Sequence, residues 1–242
     1  MNGCIYGNGN PQQATCSSAT PQAGKQFQNY RRRNMTLRFN AEKPKELRHI
    51  GRILELGGIV ALPTDIAYGV AADASNVEAV KSAYAVLERP IGEPSIVHLG
   101  HPRQLKDWAV DIPAVAEKLV KEHWPGALTL ILHRHPHVSP LITGGGHSIA
   151  LRVPAQEQLR ELLSNFNLGI IVPSIGDDYC TAEDAHKLLD GKIDGVLDSG
   201  ECSANAKSTI LDLRGKQPII TREGSVPAAA LAALLGTELE IA

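Results

Sequence analysis

The feature that most constrains this chain is a rhythm. From residue 44 onward, short apolar runs rich in β-branched residues alternate with amphipathic stretches of helical period. The stretch "PKELRHIGRILEL" puts Leu47, Ile50, Ile53 and Leu54 on one helical face and ends before Gly57-Gly58, a stop signal. The run Ile59 to Leu62 follows, short and continuous, as a buried strand should be. Pro63 has no N–H for a ladder, so regular pairing is expected to stop there, before a polar loop at Thr64-Asp65. Further helices are expected over 76–87 (capped by Asn76), 112–124, 156–164, 181–189 and 226–235. Strands are expected over 94–100, 127–133, 147–153, 168–172, 194–198, 208–213 and 218–224. Such interleaving means a sheet covered by helices, in the α/β or mixed α+β class.

The 242 residues divide by composition. Residues 1–34 are rich in Gly, Asn, Gln, Ser and Pro, contain no acid and show no apolar period, which marks a disordered basic N-terminal tail. Lys25 and Arg31 to Arg33 give that tail a charge of +4 and leave −6 for the domain of residues 35–242, where Met35 is an alternative start. An acidic body argues against a general nucleic-acid coat. No apolar run reaches membrane-spanning length. The four cysteines, at 4, 16, 180 and 202, form no Cys-x-x-Cys pair, which speaks against structural zinc and for a reducing, cytoplasmic compartment. His133, His135 and His137 alternate like metal ligands, but Pro136 interrupts the run, and a solvated loop is the better reading; no protein metal site is expected.

Polar side chains gather where the expected strands end. Thr64 follows the first, Arg89 precedes the second and His98 lies near its end. Thr129 sits within the third, Arg152 closes the fourth and Ser174 follows the fifth, while Ser208 and Arg222 flank the last two. If these ends converge, hydroxyls, guanidinium groups and an imidazole share one cleft. Arginine forks and hydroxyls suit phosphate and carboxylate, so the expected ligand is a small anion.

The phrases "ALPTDIAYGV", "ERP" (88–90), "PSIVHL", "WPGALTLIL", "IALRVP", "VPS" (172–174), "KSTILDL" and "ITREG" occur in the order found in the YrdC/Sua5/YciO family, and over residues 44–226 the chain resembles it. The resemblance implies a twisted, mostly parallel mixed sheet flanked by helices, with a large concave cleft. It implies a threonylcarbamoyladenylate synthase of tRNA modification, turning L-threonine, bicarbonate and ATP into threonylcarbamoyl-AMP and pyrophosphate, with Mg²⁺ assisting. It assigns Arg89, Thr64 and Ser174 to catalysis and Thr64, Tyr68, His98, Arg152 and Thr129 to substrate. Arg89, Ser174, Ser208 and Arg222 would hold the nucleotide. The implied partners are the small substrates, RNA and the tRNA threonylcarbamoyl-transfer machinery, with no membrane.

Two signatures depart from the family pattern. Where the family has Lys-x-Arg, this chain has Leu87-Glu88-Arg89; where it has Ser-x-Asn, this chain has Ser174-Ile175-Gly176. Similar losses mark the YciO side branch. Asp177 and Asp178 could hold Mg²⁺. Ser203-Ala204-Asn205 meets the second pattern by letter but follows the wrong element. The altered signatures lead to a synthase impaired or altered in substrate, or to a catalytically silent module that binds nucleotide or double-stranded RNA.

Overall fold

The computed structural model describes residues 35–64, 67–176, 179–202 and 207–241. The expected tail, Asp65, Asp177, Asp178 and the Ser203-Ala204-Asn205 string lie outside the described residues.

The chain opens with β1 (Leu37–Asn40) and α1 (Pro44–Glu55), whose buried side carries Leu47, Ile50, Ile53 and Leu54, the periodic set read from the sequence. A hairpin of β2 (Val60–Pro63) and β3 (Tyr68–Asp73) follows. Pro63 does not end the pairing as expected. It forms the last pair of the hairpin, opposite Tyr68, and just beyond that pair the Thr64 N–H donates to the Ala67 carbonyl at 3.0 Å. A missing N–H costs little at the final rung, where the ladder is ending anyway.

Next come α2 (Val77–Val86), β4 (Ile96–Leu99), a short helix α3 (Leu105–Trp108), β5 (Ala109–Val110), α4 (Ala114–His123), β6 (Leu128–Arg134) and β7 (Ser148–Arg152). The chain finishes with α5 (Glu157–Phe166), β8 (Gly169–Ile171), α6 (Ala182–Leu189), β9 (Gly195–Asp198), β10 (Thr209–Asp212), β11 (Ile219–Arg222), α7 (Ala228–Leu235) and β12 (Glu240–Ile241). Strands β1, β3, β5 and β12 are not among the expected ones: β1, β5 and β12 are edge pieces too short for a period to show, and β3, buried along nearly its whole length, shows no alternation.

All twelve strands join one sheet in the order β1-β9-β2-β3-β8-β4-β7-β6-β10-β11-β12, with β5 added beside β6. The α/β class and the helix-flanked mixed sheet are as expected, but the sheet is less parallel than the resemblance implied. Pairing is parallel at β1–β9, β9–β2, β4–β7, β6–β10 and β11–β12. It is antiparallel at β2–β3, β3–β8, β8–β4, β7–β6, β10–β11 and β5–β6. Two of these six antiparallel pairings come from β8, which enters between β3 and β4 against both of them.

The core packs on this sheet: Val70, Ala72, Val97, Leu130, Leu151 and Ile171 are all buried, with α2 contributing Ala79, Val80, Ala83 and Tyr84. Helix α2 starts where the sequence places its cap, since the Asn76 Oδ1 accepts from the N–H groups of Glu78 and Ala79 at 3.1 Å each. This cap fixes the entry of the helix whose far end delivers Arg89. Replacing Asn76→Ala is expected to cost about 1 kcal/mol. Urea unfolding checks this, and an unchanged midpoint would show that the cap adds nothing.

Candidate active site

Because β8 runs against both neighbours, the turn between β2 and β3, the segment after β8 and the start of β4 meet at one end of the sheet. A cleft of ≈ 330 Å³ begins there and crosses the sheet towards the end of β7 and the start of β10. Seven of the nine residues singled out in the sequence line it: Thr64, Arg89, His98, Arg152, Ser174, Ser208 and Arg222. Lys207, beside Ser208, joins them.

Each side chain is positioned by local structure. In the parallel pair β4–β7, His98 stands in register with Arg152, and equivalent positions of neighbouring strands share a face. Arg152 is only 1% exposed and donates from Nε to the Gly126 carbonyl at 2.8 Å. The adjacent His98 is 5% exposed, and burial together with Arg152 holds its pKa down to about 3. The imidazole is therefore neutral near pH 7, and its Nδ1 has no hydrogen-bond partner among the described residues. Neutral imidazole still offers one donor and one acceptor.

At the other end, Ser208 is held from two sides. Its hydroxyl oxygen accepts from Thr129 Oγ1 and from Arg222 Nη2, each at 2.9 Å. Arg222 also clasps the Ser208 carbonyl, from Nε at 3.1 Å and Nη2 at 2.9 Å. With both lone pairs of its oxygen engaged, Ser208 keeps its own O–H to offer, which suits an acceptor such as a phosphate or carboxylate oxygen. Partial desolvation lowers the Arg222 pKa from its ordinary value, yet a guanidinium remains charged.

Arg89 and Ser174 are tied together. Arg89 Nη2 donates to the Ser174 carbonyl at 3.1 Å, and Nη1 pairs with Glu93 at 3.1 Å. The Ser174 hydroxyl accepts from the Gly176 N–H at 3.1 Å. The backbone of this segment lies close on β3: a Cβ at Gly69 would sit 2.6 Å from the Pro173 carbonyl oxygen, so only glycine fits. The Thr64 hydroxyl works inside its own turn, donating to the Ala67 carbonyl at 3.0 Å and accepting from the Ala67 N–H at 3.2 Å.

Two of the nine lie elsewhere. Tyr68 is buried and turned towards β9, where its hydroxyl donates to the carbonyls of Leu197 and Gly200 at 3.3 Å each. Burial pushes its pKa up. Thr129 is fully buried behind Ser208 and reaches the cleft only through that residue. Lys207 belongs to the quoted "KSTILDL" phrase, and it brings to the cleft wall a cation that Leu87 does not.

The two altered signatures have structural reasons. Leu87 packs against the core and does not line the cleft. Glu88 takes a left-handed φ of 54°, which turns the chain so that Arg89, not Leu87, enters the cleft. Gly176 has φ 131°, a region that L side chains avoid, and an added Cβ would lie 2.9 Å from the Tyr179 ring. The missing asparagine is thus written into the backbone.

No carboxylate is found among the described residues of the cleft wall, and no group of three or more His, Cys, Asp or Glu fit to hold a metal occurs among the described residues. Asp177 and Asp178, the acids that the sequence offers for Mg²⁺, lie outside the described residues. His135 and His137 lie against each other with ring centroids 4.0 Å apart and planes tilted by 41°.

Comparison with known proteins agrees with this geometry. The family profile described as Sua5_yciO_yrdC, telomere recombination, matches residues 52–224. A threonylcarbamoyl-AMP synthase of Pyrococcus abyssi is 33% identical over 209 residues, 84% of this chain and 62% of that protein. The crystal structure of P. abyssi Sua5 complexed with L-threonine superposes with a TM-score of 0.78 at 31% identity, covering 86% of this chain and 62% of that one. Escherichia coli YciO shares the fold, with a TM-score of 0.71 at 20% identity over 81% of this chain and 98% of its own. The chain thus spans less than two thirds of the Pyrococcus protein.

Two outcomes follow. The folded-state pKa of His98 is depressed from 6.5 to about 3, so the unfolded chain binds a proton that the folded one does not. Stability from this residue is full above pH 6.5 and falls as pH drops towards 3, at about 1 kcal/mol per pH unit. Denaturant unfolding from pH 7 to 4 should show this slope, and His98→Gln should flatten it; equal slopes would mean that the imidazole is solvated. Gly176→Asn should destabilise by about 1 to 3 kcal/mol, the cost of a side chain in that backbone region. A variant as stable as the parent in the same unfolding measurement would contradict the backbone argument.

Proposed function

The chain belongs to the Sua5/YciO/YrdC family, and from that premise we propose that it is an ATP-dependent threonylcarbamoyl-AMP synthase. The observation that carries the reading is the cleft wall itself: Arg89, Arg152, Lys207 and Arg222 around hydroxyls, with no described carboxylate among them. A wall of this charge suits a triphosphate and a carboxylate at once.

In the proposed reaction the threonine amine forms a bond to the bicarbonate carbon, and water leaves to give a carbamate. A carbamate oxygen then bonds to the α-phosphorus as the bond to the β-phosphate breaks, releasing pyrophosphate. Negative charge grows on the phosphate oxygens, so preorganised donors count for most. Arg222 and Ser208 would hold the nucleotide at one end. Thr64, His98 and Arg152 would hold threonine and bicarbonate near the other, with Arg89 and Ser174 closing the side.

A neutral His98 would orient an oxygen by hydrogen bonding and would be a poor base near pH 7. Mg²⁺ would arrive with ATP, and no step here is assigned to it. The setting would be cytoplasmic, in tRNA modification, with the product passed to a threonylcarbamoyl-transfer partner. Among the described residues no helix is long and apolar enough to cross a membrane.

One observation favours a second reading. Leu87 packs against the core outside the cleft and the Gly176 backbone disfavours an asparagine, so two polar groups of the family pattern are missing from the cleft. A module that binds nucleotide or double-stranded RNA without turnover, or a slowed synthase, would tolerate this.

The test is pyrophosphate release from ATP in the presence of bicarbonate, with and without L-threonine. Threonine-dependent release is expected, with the adenylate found by mass. Arg222→Ala should raise the KM for ATP about tenfold, the worth of one charge-assisted contact of roughly 1.5 kcal/mol. ATP binding without any threonine-dependent release would favour the silent module.

A further inference from the structure

A second hollow shares no residue with the cleft. It is a groove of ≈ 540 Å³ between the turn at Pro102–Lys106 and one flank of α4. On α4 and its end the wall consists of Glu117, Val120, Lys121 and Trp124, spaced i, i+3, i+4 and i+7, one straight stripe of a helix. Ala116 and Leu119 are the buried residues of α4; on the stripe, Val120 and Trp124 pack against the core at the bottom of the groove, while Glu117 and Lys121 are exposed at its edge.

The floor is apolar, made by Leu105, Ile112, Val120 and Trp124. Three cations edge it: Arg103, Lys106 and Lys121. All three are exposed, and none forms a side-chain hydrogen bond or ion pair with the described residues. This rim reverses the charge of the body, which is −6 over residues 35–242. An apolar trough edged by unpaired cations is the complement of a helix with an apolar stripe and acidic flanks.

From this complementarity we propose that the groove docks an acidic amphipathic helix of a partner protein. The apolar side chains of that helix would fill the trough at i, i+3, i+4 and i+7, and its glutamates or aspartates would meet Arg103, Lys106 and Lys121. The cationic rim disfavours a basic helix in the groove, and the acidic surface around it disfavours an acidic helix anywhere else. Nucleic acid fits less well. Trp124 is 6% exposed with its indole N–H bonded to the Leu128 carbonyl at 2.7 Å, so it offers no open face for a base to stack on.

Fluorescence anisotropy on the full chain provides the test. The probe is a labelled synthetic peptide with leucines at i, i+3, i+4 and i+7 and glutamates elsewhere. The controls are a peptide of the same composition with its leucines spread around the helix, and a short RNA duplex. The patterned peptide should bind at least tenfold more tightly than the scattered one and weaken as salt rises. The double variant Lys106→Glu, Lys121→Glu should lose at least tenfold in its affinity while keeping the parent's circular dichroism melt. Ile112→Ser should weaken the patterned peptide alone. Equal binding of the two peptides, indifference to the double variant, or a preference for the RNA duplex that the double variant abolishes would each overturn the proposal.

Discussion

Everything in the cleft depends on the placement of β8. Three residues of strand, Gly169 to Ile171, lie buried between β3 and β4 and antiparallel to both. That arrangement brings the Ser174 segment back over the hairpin at Gly69 and beneath Arg89. Were β8 parallel to its neighbours, the chain after it would leave at the opposite end of the sheet, and Ser174 could not meet Thr64. Next along the sheet, the parallel register of β4 and β7 sets His98 against Arg152. Two short pairings therefore bring together residues from widely separated parts of the sequence.

The consequence is a site whose charges are restrained before any ligand arrives. Arg152 is anchored by the Gly126 carbonyl, Arg222 by Ser208, and Arg89 by Ser174 and Glu93. Guanidinium groups fixed in advance lose little freedom on meeting an anion, which favours donors that need not reorganise as charge develops. The depressed pKa of His98 follows from the same packing, because a second cation beside Arg152 in a buried site would be unfavourable.

Much of this was legible in the sequence. The apolar period gave α1 and its buried face, and Asn76 marked the start of α2, since both signals are local. Polar residues at strand ends pointed to seven of the residues that line the cleft. The direction of β8 was not legible, because strand polarity is decided by how the connecting helices pack and leaves no trace in three buried residues. Tyr68 and Thr129 were misplaced for a related reason. Alternation along a strand fixes opposite faces without saying which one borders the hollow. Leu87 and Gly176 read as losses from a motif, but the left-handed turn at Glu88 and the φ of Gly176 show the backbone itself shaped around them.

The proposed function needs one anionic nucleotide in the hollow formed by these strand ends, and hydrogen exchange of backbone amides with and without ATP reads its presence there. With ATP bound, exchange should slow at residues 94–98, 172–176, 207–209 and around Arg222, with little change at the groove beside α4. Protection confined to other parts of the chain, or none at saturating ATP, would contradict it.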